Sequence, residues 1–219
     1  MTLEEAIAKI KPLDHNAMEI AQKRWDSIAK PLHSLGKLET LLIQIAGITG
    51  NAEVDLSRRG LIAMCADNGV VEEGVTQTDR KLHAIVAKNF LKYDTSVCVM
   101  CKQNHAEIFP VDMGMVTDTK VRTDHKIAYG TQNMTKGPAM TREQAVKGLE
   151  AGIDMVRELN DKGYRILATG EMGIGNTTTS SAVASVLLKQ PVEEMTGRGA
   201  GLTSEGLVRK INAIKKPLH

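Results

Sequence analysis

Residues 170–178, with the sequence GEMGIGNTT, combine the residue types of an anion-binding loop. A strand-like run, RILAT, precedes them, and a helix is predicted to begin near Thr177. Gly173 and Gly175 would let an anion approach the backbone closely, and the free amides at a helix start favour negative charge. With the hydroxyls of Thr177 and Thr178 as further donors, the loop predicts a phosphate cradle; a tight turn capped by threonine is the alternative.

Two known phosphate-binding patterns fit this loop only in part. Gly170 and Gly175 match the ends of G-x-x-x-x-G-K-[ST], but Asn176 stands where the pattern has the lysine that contacts the β- and γ-phosphates. The dinucleotide pattern G-x-G-x-x-G starts at Gly173, but Thr178 replaces its third glycine. A triphosphate and NAD are therefore disfavoured, and a monophosphate is the predicted ligand.

Charged residues in and after the loop could complete such a site. Glu171 would lie beside the bound phosphate, where a carboxylate is costly unless it contacts a ribose hydroxyl or a developing positive charge. A second glycine-rich stretch, TGRGAGLTSEGLVRK, supplies Arg198 and Lys210 as further cations. Taken alone, Glu171 is equally compatible with an exposed position in a surface loop, and Arg198 and Lys210 are better explained as solvated surface charge.

A second candidate pocket follows an earlier strand. The residues Asp67, Asn68 and Gly69 come directly after the apolar run LIAMC. The D-N-G sequence is typical of a turn, but the loops at the carboxyl ends of parallel strands are also where ligands bind in α/β folds. Both interpretations stay open for these three residues.

The remaining reactive side chains predict no metal or cofactor site. Cys98 and Cys101 have C-x-x-C spacing, but there is no second pair and their surroundings are apolar, which favours buried small side chains. Neither H-E-x-x-H nor G-x-S-x-G occurs. With Cys65 the cysteines number three, an odd count that predicts free thiols in a reducing compartment.

From residue 61 onward, strand-length apolar runs alternate with helical stretches, which predicts a parallel sheet in an α/β fold. The predicted strands are LIAMC, SVCVM, AEIFPV and RILAT, with a helix around His83 to Leu91 between the first two. Thr141 and Gln144 form a capping box for the clearest helix, which should stop at Gly163. Its apolar face is predicted to contain Ala145, Leu149, Ile153, Val156 and Leu159.

The first 56 residues have a different, helical character and predict a small N-terminal lobe. Thr2 could cap a short helix, and a later helix should follow a loop at 31–36 and close at Gly47 or Gly50. We therefore divide the chain into a helical lobe, 1–56, and an α/β domain, 57–219.

The composition excludes several classes of protein. Hydrophobic residues make up 42% of the chain and charged residues 25%, so the chain can form a core. A net charge of +2 and 3% aromatic residues disfavour a nucleic-acid partner. The sequence contains neither a membrane-length apolar run nor a signal-like N-terminus, so no membrane association and a cytoplasmic location are expected.

Five ordered blocks of this sequence resemble the nicotinate-nucleotide:dimethylbenzimidazole phosphoribosyltransferase family. They are KPLHSLGKLE at 30–39, CADNGVVEEGV at 65–75, GTQNMTKGPAMTREQA at 130–145, GEMGIGNTT at 170–178 and TGRGAGL at 196–202. The resemblance implies a doubly wound α/β fold and a homodimer. It implies the substrates nicotinate mononucleotide and 5,6-dimethylbenzimidazole, which give α-ribazole 5′-phosphate and nicotinate, a step in building the lower ligand of cobalamin.

The same resemblance implies roles for particular residues. Lining of the ribose phosphate is implied for Glu171, Gly175, Asn176, Thr177 and Thr178, with Lys210 close by. The block containing Asp67, Asn68 and Gly69, together with EEGV at 72–75, would help to form the benzimidazole pocket. The resemblance also implies that 57–219 is a phosphoribosyl-binding domain that is incomplete at its C-terminus. No metal and no cofactor are expected.

This sequence departs from the family pattern at three places. Asn68 stands where many relatives have histidine, and His33 where many have glycine. The family also continues for about another third of its length beyond KKPLH, and its assigned general base, a glutamate, lies in that part. We therefore expect either a fragment or a member that has lost its base, and binding of a nucleotide monophosphate or an aromatic base without catalysis is the alternative function.

Overall fold

The computed structural model describes residues 1–77, 85 and 89–218 of the chain and has the predicted α/β architecture. Its sheet consists of three parallel strands, β1 (Arg59–Ala66), β2 (Ala106–Gly114) and β3 (Ile166–Met172), in the order β2-β1-β3. β1 therefore lies in the middle and pairs with both of the others. The predicted strands LIAMC, AEIFPV and RILAT are confirmed.

Helices surround the sheet and precede it. They are α1 (Leu3–Ala8), α2 (His15–Ser27), α3 (Lys37–Thr49), α4 (Ser96–Gln103), α5 (Arg142–Asp161), α6 (Asn176–Leu188), α7 (Val192–Met195) and α8 (Ser204–Lys215), with 3-10 helices at Gly69–Glu73 and Lys216–Leu218. The predicted helix around His83 to Leu91 falls mostly outside the described residues. None of the helices in the described ranges is long and apolar enough to cross a membrane.

Each face of the sheet carries its own core. On one face, Cys98 and Cys101 of α4 pack against residues of β1 and β2 such as Cys65. On the other face, Met155 and Leu159 of α5 pack against Ile62, Val111 and Tyr164. Since β1 side chains alternate between the two cores, helices on both faces are required to bury them. This is the expected doubly wound arrangement.

The predicted strand SVCVM is wrong, because these residues begin helix α4. The Thr95 hydroxyl caps the helix by accepting a hydrogen bond from the Cys98 amide at 3.2 Å. Cys98 and Cys101, three residues apart, point into the core, whereas Val99 and Met100 are 63% and 64% exposed. A short apolar run is compatible with either a strand or a helix. Here the two buried cysteines are three residues apart, which is the spacing of one face of a helix.

Helix α5 has the predicted ends but not the predicted buried face. The Thr141–Gln144 capping box is present, and the chain leaves the helix through Gly163 at φ +88°. Of the five residues predicted to be inside, Leu159 is fully buried, whereas Leu149 and Val156 are 57% and 49% exposed. Apolar side chains occur on more than one side of this helix, and the contact with the sheet follows the stripe Ala151, Met155 and Leu159 instead.

The N-terminal helices form a small packed unit. Thr2 caps α1 as predicted, and α3 ends at Gly50, one of the two predicted positions, with φ +64°. Helices α2 and α3 approach closely at Gly47, where a Cβ atom would lie 2.7 Å from the Met18 side chain. Helix α1 lies against α5, since the Leu3 amide donates to Glu150 at 3.0 Å. The division of the chain near residue 57 stays a prediction.

Two local features agree with the sequence analysis. His33 adopts φ +57°, a left-handed conformation that favours glycine, the residue that the resemblance places there. All three cysteines are free and buried, which confirms the prediction of free thiols.

Candidate functional site

The candidate site lies at the carboxyl ends of β1 and β3. The chain goes from β1 to β2 and then returns past β1 to β3, so the loops after β1 and β3 leave from neighbouring strands. In open α/β sheets, such a reversal of strand order creates the crevice in which ligands bind. The two predicted site segments, 67–69 and 170–178, follow these two strands.

A cleft of about 300 Å³ opens at this crevice, and we call it the phosphate-loop cleft. One wall is the predicted loop, and the facing walls come from the segment after the Gly69–Glu73 helix and from the glycine-rich stretch before α8. Its lining residues are Val75, Thr76, Gln77, Met172, Gly173, Ile174, Gly175, Asn176, Thr177, Arg198, Gly199, Ala200 and Leu202.

The loop presents its backbone to the cleft at the start of α6. Gly175 has φ +82°, and its carbonyl accepts from the amides of Thr178 and Thr179 at 2.9 and 3.3 Å, which begins the helix. A Cβ atom on Gly173 would lie 2.7 Å from the Ala66 carbonyl oxygen, so only glycine fits there. Within the described part of the chain, the structure records no hydrogen bond donated by the amides of Gly173, Ile174 or Gly175. These amides are available to an anion.

Lys210 places a buried ammonium group beside the loop. Its side chain extends from α8, is 1% exposed, and donates from Nζ to Thr177 Oγ1 at 2.8 Å and to the Gly197 carbonyl at 3.0 Å. Both of these acceptors are neutral, and burial lowers the pKa of the Lys210 ammonium below its usual range. An anion in the cleft would therefore stabilise a charge for which the described residues supply two neutral acceptors.

Two further charged residues flank the cleft. The Arg198 guanidinium lines it and is held by the Leu202 carbonyl at 2.8 Å and the Ser204 hydroxyl at 3.1 Å. Glu171, exposed at the end of β3, accepts a hydrogen bond from the Asn176 side chain. The Asn176 side-chain oxygen in turn accepts from the Thr177 amide at 2.7 Å, so Asn176 links the carboxylate to the helix start.

The predicted phosphate-site residues mostly come together. Gly173, Gly175, Asn176 and Thr177 line the cleft, and Lys210 contacts Thr177 behind it. Thr178 lies elsewhere: it is fully buried, and its Oγ1 has no hydrogen bond among the described residues. Its side chain is therefore inside the protein rather than on the wall of the cleft.

The predicted base-binding residues line a neighbouring cavity of about 390 Å³. Asp67 is buried there, and its Oδ2 accepts from the Val116 amide at 2.8 Å. A Cβ atom on Gly69 would lie 2.5 to 2.6 Å from the backbone of residues 131–133, so the chain is tightly packed at this glycine. Asn68 borders this cavity as well, but its carboxamide reaches the phosphate loop, with Nδ2 3.1 Å from the Ile174 carbonyl.

Several residues of the cleft have no strong sequence signal. Gln77 donates from Nε2 to the Gly201 carbonyl at 2.9 Å and so connects two walls of the cleft. Met172 and Leu202 add apolar surface beside the loop. Both lie within glycine-rich segments that sequence analysis singled out, but only the fold shows that their side chains share one cleft. No group of three metal-ligating side chains occurs among the described residues.

Comparison with known proteins identifies the family. The sequence pattern of a family described as "Phosphoribosyltransferase" matches residues 10–219. The protein named nicotinate-nucleotide--dimethylbenzimidazole phosphoribosyltransferase from Ruminiclostridium cellulolyticum is 50% identical over 100% of this chain and 62% of its own length. The protein of the same name from Clostridium tetani is 44% identical over 99% of this chain and 60% of its own length.

Solved structures give the same result. The crystal structure of CobT from Thermus thermophilus has a TM-score of 0.84 and 34% identity, covering 92% of this chain and 61% of that protein. The chain thus spans about three fifths of the length of the relatives that it matches. Together, these matches and the glycine-rich cleft show that the chain belongs to the phosphoribosyltransferase family.

Proposed function

We propose that this chain supplies the phosphoribosyl-binding part of an enzyme that transfers phosphoribose from nicotinate mononucleotide to 5,6-dimethylbenzimidazole. The products are α-ribazole 5′-phosphate and nicotinate. The observation that carries the proposal is the position of the buried Lys210 ammonium, which lies 2.8 Å from Thr177 at the start of the glycine loop. Relatives that are 44% to 50% identical carry the name of this activity, which supports the choice of substrates.

In this proposal, the phosphate lies against the loop. The amides of Gly173 and Gly175 and the side chains of Asn176 and Thr177 donate to its oxygens, and Lys210 supplies a positive charge. The apolar wall formed by Val75, Ile174 and Leu202 then faces the aromatic rings. The ribose lies between these two regions, next to Glu171.

The proposed reaction exchanges two bonds at C1′ with inversion. The bond from C1′ to the nicotinate nitrogen breaks, and its electron pair leaves with nicotinate. A ring nitrogen of dimethylbenzimidazole donates a pair to C1′, and the other ring nitrogen releases its proton to water. The Glu171 carboxylate is placed to contact a ribose hydroxyl or to stabilise the positive charge that develops on the ribose, so we propose a supporting catalytic role for it.

A second candidate function is binding of a nucleotide monophosphate or an aromatic base without catalysis. One observation favours it: the described residues that line the cleft include no carboxylate or imidazole that could accept the proton of the incoming base. Glu171 is adjacent to this lining and is engaged by Asn176.

One experiment separates the two functions. The purified chain is mixed with nicotinate mononucleotide and dimethylbenzimidazole, and nicotinate and α-ribazole 5′-phosphate are measured by chromatography. Release of both products supports the transferase, and Glu171→Gln should then lower turnover; full turnover in that variant would remove Glu171 from the proposed site. Calorimetric binding of nicotinate mononucleotide without release supports the binding function. Absence of both binding and release contradicts both proposals.

We also propose that the protein acts as a homodimer in the cytoplasm. Leu38, Leu41 and Ile48 of α3 are 51%, 54% and 65% exposed, and such apolar surface is typical of association sites. Three free buried cysteines fit a reducing compartment. Light scattering should give twice the 23.8 kDa chain mass; the mass of one chain would contradict the dimer.

A further inference from the structure

Asn68 connects the loop after β1 to the phosphate loop after β3. Its Nδ2 donates to the Ile174 carbonyl at 3.1 Å, and its Oδ1 lies 3.4 Å from the Thr179 hydroxyl, which also donates to the Asn176 carbonyl at 3.0 Å. A carbonyl oxygen can only accept, so the contact with Ile174 determines which end of the carboxamide faces the loop. Asn68 thus contacts Ile174 and Thr179, which lie on the two sides of Gly175 and are 106 and 111 residues away in the sequence.

The two loop glycines allow this contact. A Cβ atom on Gly173 would lie 3.3 Å from Asn68 Nδ2, and one on Gly175 would lie 3.4 Å from the Asn68 Cβ atom. Asn68 therefore packs directly against the backbone of the loop. Gly175 also has the left-handed φ of +82°, a conformation that glycine adopts without the steric cost of a Cβ atom.

The contact fixes one peptide unit of the loop. In a planar trans peptide the C=O and N–H groups point in opposite directions. The carbonyl of Ile174 is directed at Asn68, so the Gly175 amide of the same peptide unit is directed away from Asn68. Both Ile174 and Gly175 line the phosphate-loop cleft, and the Gly175 amide makes no recorded hydrogen bond within the described chain.

We propose that Asn68 is a positioning residue that holds the Ile174–Gly175 peptide so that the Gly175 amide is presented to the phosphate of the ligand. This inference rests on the proposed function for the identity of the ligand, but the orientation of the peptide is a property of the protein alone. The proposed role of Asn68 differs from that of Asp67 and Gly69, which line the neighbouring cavity.

Two variants and a matched control test the orientation without a ligand. Asn68→Ala removes the donor, and Asn68→Asp keeps the shape but places an acceptor opposite the Ile174 carbonyl. The control is Asn104→Ala, because Asn104 also donates to a backbone carbonyl, that of Met100 at 2.9 Å. Asn104 lies just before β2 begins, at the end of the sheet opposite the phosphate loop. The ¹⁵N order parameter of the Gly175 amide is measured in the full chain. We expect about 0.85 in the parent and in Asn104→Ala, and below about 0.6 in both Asn68 variants.

A second measurement tests the consequence for binding. Calorimetry compares nicotinate mononucleotide with nicotinate riboside, which lacks the phosphate. Asn68→Ala should weaken the mononucleotide about tenfold, the cost of one hydrogen bond to a charged group, and leave the riboside unchanged. A substitution that merely disturbs packing would weaken both ligands.

The outcomes separate this inference from the proposed function. A rigid Gly175 amide in both Asn68 variants would overturn the inference whatever the ligand data show. Equal losses for the two ligands would overturn it as well. If the parent chain binds neither ligand, the proposed function fails, and the order parameters alone then decide whether Asn68 holds the loop.

Discussion

At the scale of the residue, Lys210 is a side chain whose buried location costs stability and for which we propose a role in binding the phosphate. Its ammonium is buried against two neutral oxygens, Thr177 Oγ1 and the Gly197 carbonyl. Burying a charge without a counter-ion is unfavourable, and accordingly the pKa of Lys210 is lowered by burial. A phosphate in the cleft would supply the missing negative charge.

We predict that binding of nicotinate mononucleotide weakens as the pH rises from 8 toward 10.5, the ordinary pKa of lysine. The phosphate is fully ionised throughout this range, whereas Lys210 loses its proton early because its pKa is lowered. Affinity should fall rather than rise with pH, because only the protonated form of Lys210 attracts the phosphate. Calorimetry across this pH range measures the effect.

Lys210→Met is the matched variant for this pH dependence. It should bind the mononucleotide about tenfold to a hundredfold more weakly near pH 8, as expected for the loss of a charged hydrogen-bond partner, and show a flat alkaline profile. Dimethylbenzimidazole, which carries no phosphate, should bind unchanged. An equally steep profile in the variant would assign the titration to another group.

Alanine substitutions at two glycines should change the free energy of unfolding in opposite directions. A Cβ atom on Gly69 would lie within 2.5 to 2.6 Å of the backbone of 131–133, whereas one on Gly152, inside α5, would meet nothing within 4 Å. Gly69→Ala should therefore lower the free energy of unfolding by about 1–3 kcal/mol through overpacking. Gly152→Ala should raise it by about 0.5–1 kcal/mol through helix propensity. Urea unfolding measures both, and a neutral Gly69→Ala would mean that the 131–133 segment moves easily.

At the scale of the element, helix α5 depends on its N-terminal cap. The Thr141 hydroxyl accepts from the Gln144 amide at 3.1 Å, and the Gln144 side chain accepts from the Thr141 amide at 2.9 Å. Thr141→Ala should lower the free energy of unfolding by about 1 kcal/mol. Thr40→Ala, an exposed position inside α3, makes the same chemical change without a cap and should have almost no effect or stabilise slightly. Equal losses in thermal unfolding for the two variants would contradict the role of the cap.

The sequence predicts elements well wherever the signal is local. The Thr141 cap, the Gly163 stop and the alternation around β1 all depend on residues close together in the chain. SVCVM was predicted incorrectly because four to six apolar residues are compatible with either period, and the choice depends on where the sheet lies. The buried face of α5 was missed because apolar side chains occur on more than one side of this helix, so the sequence does not show which side contacts the sheet.

The same distinction applies to the site. The loop at 170–178 is recognisable because a strand, glycines and a helix start follow one another directly. The contact between Lys210 and Thr177, and the bond from Asn68 to Ile174, join segments 33 and 106 residues apart. Spacing along the chain contains no information on such contacts, so the residues themselves indicate only a possible cation at Lys210 and a turn or pocket at Asn68. The expected places of Lys210 near the phosphate and of Asn68 near the base came from the family resemblance.

At the scale of the whole molecule, the three thiols report on the integrity of the core between the sheet and α4, where all three lie. Cys65, Cys98 and Cys101 are 0%, 1% and 4% exposed, and burial, with Asp112 nearby, raises the pKa of the Cys65 thiol to about 12. We expect a thiol reagent at pH 8 to react at least about tenfold more slowly with the native chain than with the denatured chain, which should give three thiols. Rapid native reaction of one thiol would show that the α4 side of the sheet opens locally.

The position of β1 between strands that follow it much later in the chain has a consequence for the order of folding. β1 first meets β2, which begins at Ala106, but its other edge waits for β3, which begins at Ile166. Pairings between residues so distant close a long loop and are slow to form. The phosphate-loop cleft needs β3, the start of α6 and Lys210 of α8 together, so we expect it to be assembled last. A chain emerging from the ribosome would therefore acquire its β1–β2 core well before it could hold a nucleotide, and ligand added during refolding should accelerate only the final phase.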